Sequence, residues 1–195
     1  PKAENLNDFE AGFRHFANAT QFEANGYLMN YKDQLVLTGA INSVGEAIRV
    51  NVPNSYRAGV ELQVAQKFGN KFLLSANTTL SSNKIKEFKE FIPSYDGETP
   101  DAVNNFKDTD IAFSPNLIVG GSLRYTPVEG LELALLPKYV GKQYLDNTSD
   151  DNRALDAFFV NDLRINYSLK PKGMKNLTLS LLVNNLFNAE YESNG

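Results

Sequence analysis

The sequence predicts an all-β chain, an antiparallel up-and-down meander of about eight long strands that forms a section of a transmembrane β-barrel. Three observations predict it. Apolar residues recur at every second position through segments much longer than the five or six residues usual in a soluble strand, about. The connections between these segments sort into short and long, as they do between the two sides of a membrane barrel. No run approaches the ~18 uninterrupted apolar residues of a membrane-spanning helix, and no segment carries a convincing helical period.

Residues 55–68 are the template. Tyr56, Ala58, Val60, Leu62, Val64 and Phe68 fall on one side, with Gln66 the only polar intruder. Ser55, Arg57, Gly59, Glu61, Gln63, Ala65 and Lys67 fall on the other. Period two puts successive side chains on opposite faces of a strand, so the segment has a greasy face and a charged face. Aromatic residues near both ends of a long apolar face suit a tilted crossing of hydrocarbon.

The other elements follow in chain order. Residues 7–16 alternate Phe9, Ala11, Phe13 and His15 against Asp8, Glu10, Gly12 and Arg14, and 17–20 is a short polar turn. Residues 21–37 begin with Phe22, Ala24, Gly26 and Leu28 on the apolar side, but Tyr27, Met29 and Tyr31 fall on the wrong one. That predicts a bulge or a two-sided contact near Gly26. Residues 38–54 read as a longer excursion with some extended structure. After the template strand and a tight connection at 68–71, residues 72–91 form another long strand whose far half alternates Lys and Glu, as if projecting into water. Residues 92–112, with PSYDGETPD, read as the longest irregular stretch, too polar to pack well. Strands follow at 114–125, 131–144, 157–169 and 177–186, joined by turns at 126–130 and 170–176 and by an acidic, Asn-rich loop at 146–155. The last residues supply no closing strand.

Bulk properties bound the function. The 195 residues are 42% hydrophobic, with net charge −4 and acids and bases interspersed, so no basic cluster suggests a nucleic-acid partner. Cysteine is absent, which excludes disulfides, thiolate metal sites and a cysteine nucleophile within this stretch. The chain starts at Pro1 and reads as mature, processed or excised.

Three stretches resemble the C-terminal barrel portion of TonB-dependent outer-membrane receptors. Val183-Asn184-Asn185-Leu186-Phe187-Asn188-Ala189-Glu190-Tyr191 resembles the V-x-N-L-F-(N/D)-x-x-Y run of that family's penultimate strand, with Asn185, Leu186, Phe187 and Tyr191 as its motif residues. Arg57-Ala58-Gly59-Val60-Glu61-Leu62 resembles its R-x-G-(V/I/L)-E strand, and the stretch 139–147 (YVGKQYLDN) is similar to one common in nutrient-uptake members. The resemblance covers nearly all of the chain and implies one domain, 1–195, cut from a barrel of about 22 strands with a plugged lumen. It implies a plug domain and a closing strand outside this stretch, an outer-membrane location, and contacts with lipid, the plug, TonB and a small nutrient. It implies import of a scarce nutrient (siderophore, cobalamin, glycan or similar) with TonB-relayed energy. Arg14, Arg57, Glu61, Arg124 and Arg164, together with Lys67, then line the lumen. The alternative is a soluble β-barrel or β-sandwich that binds a ligand or partner, in which this face meets water.

No enzyme is expected, nor any cofactor or metal. His15, the only histidine, lies on an apolar face without triad partners. Asp146, Asp150, Asp151 and Asp156 invite a calcium reading, but their spacing matches no EF-hand, and a solvated polar loop is the simpler expectation. Asp96, Glu98, Asp101 and Asp108 carry the same ambiguity. The glycines form no phosphate-cradling motif ahead of a helix.

Overall fold

The computed structural model describes residues 2–42, 44–92, 94 and 102–193, with only the backbone of 39–41. Its elements are β1 (Asn5–Phe16), β2 (Thr20–Ile41), β3 (Ala47–Phe68), β4 (Phe72–Ile92), β5 (Ala102–Asp110), β6 (Leu117–Tyr125), β7 (Leu131–Val140), β8 (Gln143–Tyr144), a 3-10 turn (Asp151–Arg153), β9 (Ala154–Leu155), β10 (Phe158–Leu169) and β11 (Leu177–Val183). Eight strands pair in the order β1-β2-β3-β4-β6-β7-β10-β11, while β5 pairs with the upper half of β4, and β8 with β9. Every pairing is antiparallel. The order is that of a meander with two open edges, β1 and β11. No α-helix occurs among the described residues.

Residues opposite one another in a ladder point to the same face. The register Phe9↔Leu28, Ala24↔Leu62, Leu62↔Thr78, Leu74↔Leu123, Leu123↔Leu135, Leu135↔Leu163 and Ile165↔Leu181 therefore carries one apolar face across all eight strands. Among the described residues, nothing forms a second layer over that face. Phe13 is 62% exposed, Val60 44% and Leu179 56%, while Leu62 and Leu133 are half-buried between their strand neighbours. A water-soluble sandwich would have to cover such a face with a second layer. Lipid needs no cover.

The depth of the face fits a bilayer. The twelve steps from Tyr56 to Phe68 in β3 rise about 3.3 Å each. At a tilt of about 45° they span roughly 28 Å, close to the ~25 Å apolar band of outer-membrane barrels. Aromatic side chains mark the short-turn end: Phe72 stacks on Tyr125 at 4.5 Å, and Phe13 meets Phe22 at 6.4 Å. Tyr56, Tyr139 and Phe159 lie on the same face toward the opposite end.

Several boundaries differ from those the sequence predicts. Residues 38–54 are mostly strand, since β2 runs to Ile41 and β3 starts at Ala47. The stretch 92–112 contains a nine-residue strand, β5, paired to β4 from Ile92↔Ala102 to Lys84↔Asp110. No bulge occurs at Gly26: β2 holds unbroken register with β1 and β3 from Gln21 to Lys32, so Tyr27, Met29 and Tyr31 do lie on the polar face. The irregularities come further out, at Asp33 (φ 56°) and between Leu37 and Ile41. The segment 131–144 divides into β7 and β8, and the last strand ends at Val183.

The buried core sits beyond the apolar band, not in it. Val36, Val52, Ile85, Phe88 and Ile111 form one cluster, with Val50 and Phe106 packed against it. Val36, Val52, Ile85 and Phe88 come from the far halves of β2, β3 and β4, and Ile111 directly follows β5. Lipid cannot solvate apolar groups there, so they must bury one another, at roughly 1.5–3 kcal/mol per side chain.

Candidate functional site

The polar face is the candidate site. Arg14, Arg57, Glu61, Arg124 and Arg164 all lie on it, each opposite a residue of the same face: Arg14↔Glu23, Arg57↔Asn83, Glu61↔Thr79, Arg124↔Ala134 and Arg164↔Ala134. The hollows on the sheet are lined mainly by this face. Side chains bond laterally across it, Ser75 to Ser122 at 2.7 Å and Asn166 to Glu132 at 3.3 Å.

The five residues separate into two groups. Arg14, Arg57 and Glu61 stand on β1 and β3 among Glu10, Glu23 and Asn25. Arg14 pairs with Glu23 at 3.1 Å, exposed enough for the pair to add little stability. Arg57 is half-buried and donates to Ser114 Oγ at 3.0 Å. Glu61 borders the hollows on both sides of it. Arg124 and Arg164 flank buried Ala134 across three neighbouring strands, and the same row reaches Lys67 through Leu73. Cations thus occupy alternate strands of one row, two strand spacings or about 9.5 Å apart, near the short turns.

Tyr27, Met29, Phe113 and Ile118 also line the hollow beside Arg57 and Glu61. The off-pattern character of Tyr27 and Met29 on β2 was the available signal, and Gly59 explains how the Tyr27 ring is accommodated. A Cβ at Gly59 would come within 2.6 Å of Tyr27 Oη and of the Leu80 carbonyl oxygen. The phenol lies across the glycine.

The acidic loop is solvated only in part: Asp151 and Asp156 are exposed, Asp150 is half-buried and Asp146 is buried. Arg153 Nη1 reaches Glu90 Oε1 and Asp146 Oδ2, both at 2.7 Å, and its Nε reaches Asp150 Oδ2 at 3.4 Å. Asp146 Oδ1 accepts from the Thr148 amide and hydroxyl, and all of Asp146, Asn147 and Thr148 is buried. The Asn152 amide and then the Arg153 guanidinium hold the Asp150 carboxyl below its ordinary value. Asp151 takes Lys142 and the Tyr144 hydroxyl, and the lysine ammonium lowers its pKa. These carboxylates already face cations and N–H donors, and no group of three potential metal ligands gathers among the described residues. Asp108 pairs with Lys86 at 2.6 Å, whereas Asp96, Glu98 and Asp101 lie outside the described residues.

The motif at the end of β11 forms a compact turn. Asn185 (φ 49°) and Asn188 (φ 51°) adopt left-handed backbone, which asparagine tolerates well. Asn185 Oδ1 accepts the Ala189 amide at 2.8 Å and its Nδ2 donates to the Ala189 carbonyl at 2.9 Å. The Asn185 amide donates to Asp162 Oδ1 at 2.7 Å, and the Leu186 amide to the Asn161 carbonyl at 2.7 Å, which ties the turn to β10. Tyr191 stacks on Phe158 at 4.4 Å, while Phe187 is exposed.

A sheet with a bare apolar face of membrane depth, a polar opposite face and hairpins of unequal length defines the wall of an outer-membrane β-barrel. The chain belongs to the TonB-dependent receptor-like β-barrel family, whose model matches residues 2–186. That family is one of transport receptors in the outer membrane, so this is a β-barrel protein of that membrane. The fold is similar to the ferric yersiniabactin uptake receptor FyuA from Yersinia pestis (TM-score 0.69, 17% identity, 98% of this chain and 26% of that one). It is similar to the copper transporter OprC (TM-score 0.70, 19% identity, 98% and 26%) and to the FrpB iron transporter from Neisseria meningitidis (0.65, 23%, 97% and 28%). The chain spans about a quarter of the length of these relatives. No curated protein matches it in sequence.

Proposed function

We propose that residues 1–195 are the C-terminal part of the barrel wall of an active-transport receptor, completed by a plug domain and one closing strand encoded beyond this stretch. The receptor binds a scarce nutrient outside the cell and imports it with energy relayed by TonB. The observation that carries this reading is the two-faced sheet, greasy outside at bilayer depth and charged within. Arg14, Arg57, Glu61, Arg124 and Arg164 line the lumen, where they meet the plug. The Asn185–Tyr191 turn closes the outer end of β11 where the chain departs for its last external loop. Among the described residues the polar face offers charged and amide side chains suited to holding a plug and passing a ligand, which supports a role in carriage.

Solved relatives are described as receptors or transporters for ferric yersiniabactin, ferric catecholate, iron and copper, which makes a ferric siderophore the first probe. The test is uptake of an iron-55 siderophore panel by cells expressing the full-length protein, with and without TonB. Saturable uptake of at least one siderophore, lost without TonB, is expected. Uptake that persists without TonB would contradict the energy coupling.

A further inference from the structure

We infer that the loop between β7 and β10 is a clasp that joins the external hairpins into one rigid rim, with Asn147 and Arg153 as its positioning residues. Three hairpins meet here. Asn147 is fully buried; its Oδ1 accepts the Ala112 amide at 2.8 Å and its Nδ2 donates to the Leu37 carbonyl at 2.5 Å. One side chain therefore bonds the β4–β5 side and the β2–β3 side at once. Ser149 takes the Asp110 amide at 2.7 Å, and the Tyr144 carbonyl takes that of Phe113 at 2.9 Å. The amides of 110, 112 and 113 thus all end on the loop, while that of Ile111 goes to the Asn83 carbonyl. Segment 110–113 is held as if it were a strand, though its partner is mostly side chain. Arg153 locks the other side of the loop onto Glu90 of β4.

Such a network is expensive to half-make. Removing Asn147 takes this partner from the half-buried Ala112 amide and Leu37 carbonyl, and a polar group that loses its partner away from water is costly. The bonds also close loops of 35 and 110 residues between partners, so ordering one hairpin helps order the others. The hydrophobic cluster of Val36, Val52, Ile85, Phe88 and Ile111 already couples the β2–β3 and β4–β5 hairpins. The clasp adds the third element to that pair.

The consequence reaches the lumen. Segment 110–114 carries Phe113, at φ 53° and 43% exposed, into the hollow shared with Arg57 and Glu61, and Arg57 bonds Ser114. An external loop thereby fixes the position of a lumen-side aromatic and its neighbouring guanidinium. The rim is preassembled around the entrance, and its hairpins do not close separately.

This inference rests on the barrel reading above, but its test does not depend on transport. In the full-length receptor in lipid vesicles, spin labels are placed at Asn105→Cys with Asn152→Cys, and at Arg49→Cys with Asn105→Cys, on exposed sites of the loop and the two hairpins. Residues 1–195 contain no cysteine, so only cysteines elsewhere in the receptor need replacing. Double electron–electron resonance is expected to give one narrow distance population for each pair. Asn147→Ala and Arg153→Ala should broaden the 105–152 distribution at least twofold and leave 49–105 narrow, with Arg153→Lys intermediate. Phe88→Ala should broaden 49–105. Retention of the folded-barrel mobility on unheated gels separates these effects from misfolding. Broad distributions in the unaltered receptor, or a 105–152 distance indifferent to both clasp variants, would overturn the inference.

Discussion

Leu62→Arg tests whether the apolar face meets lipid. Leu62 lies six steps from Tyr56 and six from Phe68 along β3. At about 3.3 Å per step and a tilt of about 45°, it is roughly 14 Å from either aromatic level, at the bilayer midplane. An arginine on the lipid face costs about 2–4 kcal/mol at that depth and about 0–1 near the interfaces. At about 1.4 kcal/mol per tenfold, Leu62→Arg lowers the folding equilibrium constant roughly thirty- to several-hundred-fold. Phe68→Arg, at the short-turn level, should cost no more than about 1 kcal/mol. Gln63→Arg, exposed on the opposite face, should cost within about 0.5 kcal/mol. The assay is urea unfolding of the full-length receptor in lipid vesicles. Equal penalties at 62 and 68, or a larger one at 63, would refute the assignment of faces, because only a lipid layer makes the cost depend on depth.

Three further outcomes follow from named contacts. Gly59→Ala should destabilise the barrel by about 1–3 kcal/mol, since its Cβ overlaps both Tyr27 Oη and the Leu80 carbonyl; adding Tyr27→Ala should recover part of the loss but not all, as judged by urea midpoints. Asn185→Ala loses two side-chain hydrogen bonds across its turn and should cost about 1–2 kcal/mol, with Asn185→Gly intermediate because only the left-handed backbone is recovered. Acid should loosen the loop from within: Asp150, held down by the Asn152 amide, and Asp151, held down by Lys142, have carboxyls held below the ordinary carboxylate value. Their contribution is complete above that value and is lost as the pH falls through the lower folded one. The 105–152 distance distribution should therefore be unchanged between pH 7 and 5 and broaden only below the ordinary carboxylate range; broadening already at pH 5 to 6 would contradict this assignment.

The sequence shows most clearly where lipid imposes the pattern. Within the apolar band, period two survives because each side chain has either hydrocarbon or the polar interior to face, and the template strand is legible residue by residue. Tyr27 and Met29 break the pattern without breaking the register, since the missing side chain at Gly59, 32 residues from Tyr27, makes room for the phenol. Beyond the band the constraint changes. Residues 102–110 form a strand although few of them are apolar, because ladder partners on β4 supply the backbone bonds and a handful of residues such as Phe88 and Phe106 supply the core, whereas in 47–54 the alternation of Ile48, Val50 and Val52 was the available signal. The loop at 146–155 looks solvated because it is made of Asp, Asn and Thr, yet its partners are Leu37, Glu90 and Ala112, far away in sequence. Local composition carries no sign of such bonds. The Asn185 turn was legible as a family motif, and its geometry explains the choice of asparagine.

The most direct measurement of the two-faced wall is a fluorophore scan of β3 in the membrane. Single cysteines at Arg57, Ala58, Val60, Glu61, Leu62, Gln63, Val64 and Ala65, labelled with bimane in the full-length receptor, are read in vesicles of brominated lipid. Quenching is expected at 58, 60, 62 and 64 and is expected to be weak at 57, 61, 63 and 65. Uniform quenching, none at all, or strong quenching at the odd positions would contradict a strand with lipid on one side and the lumen on the other.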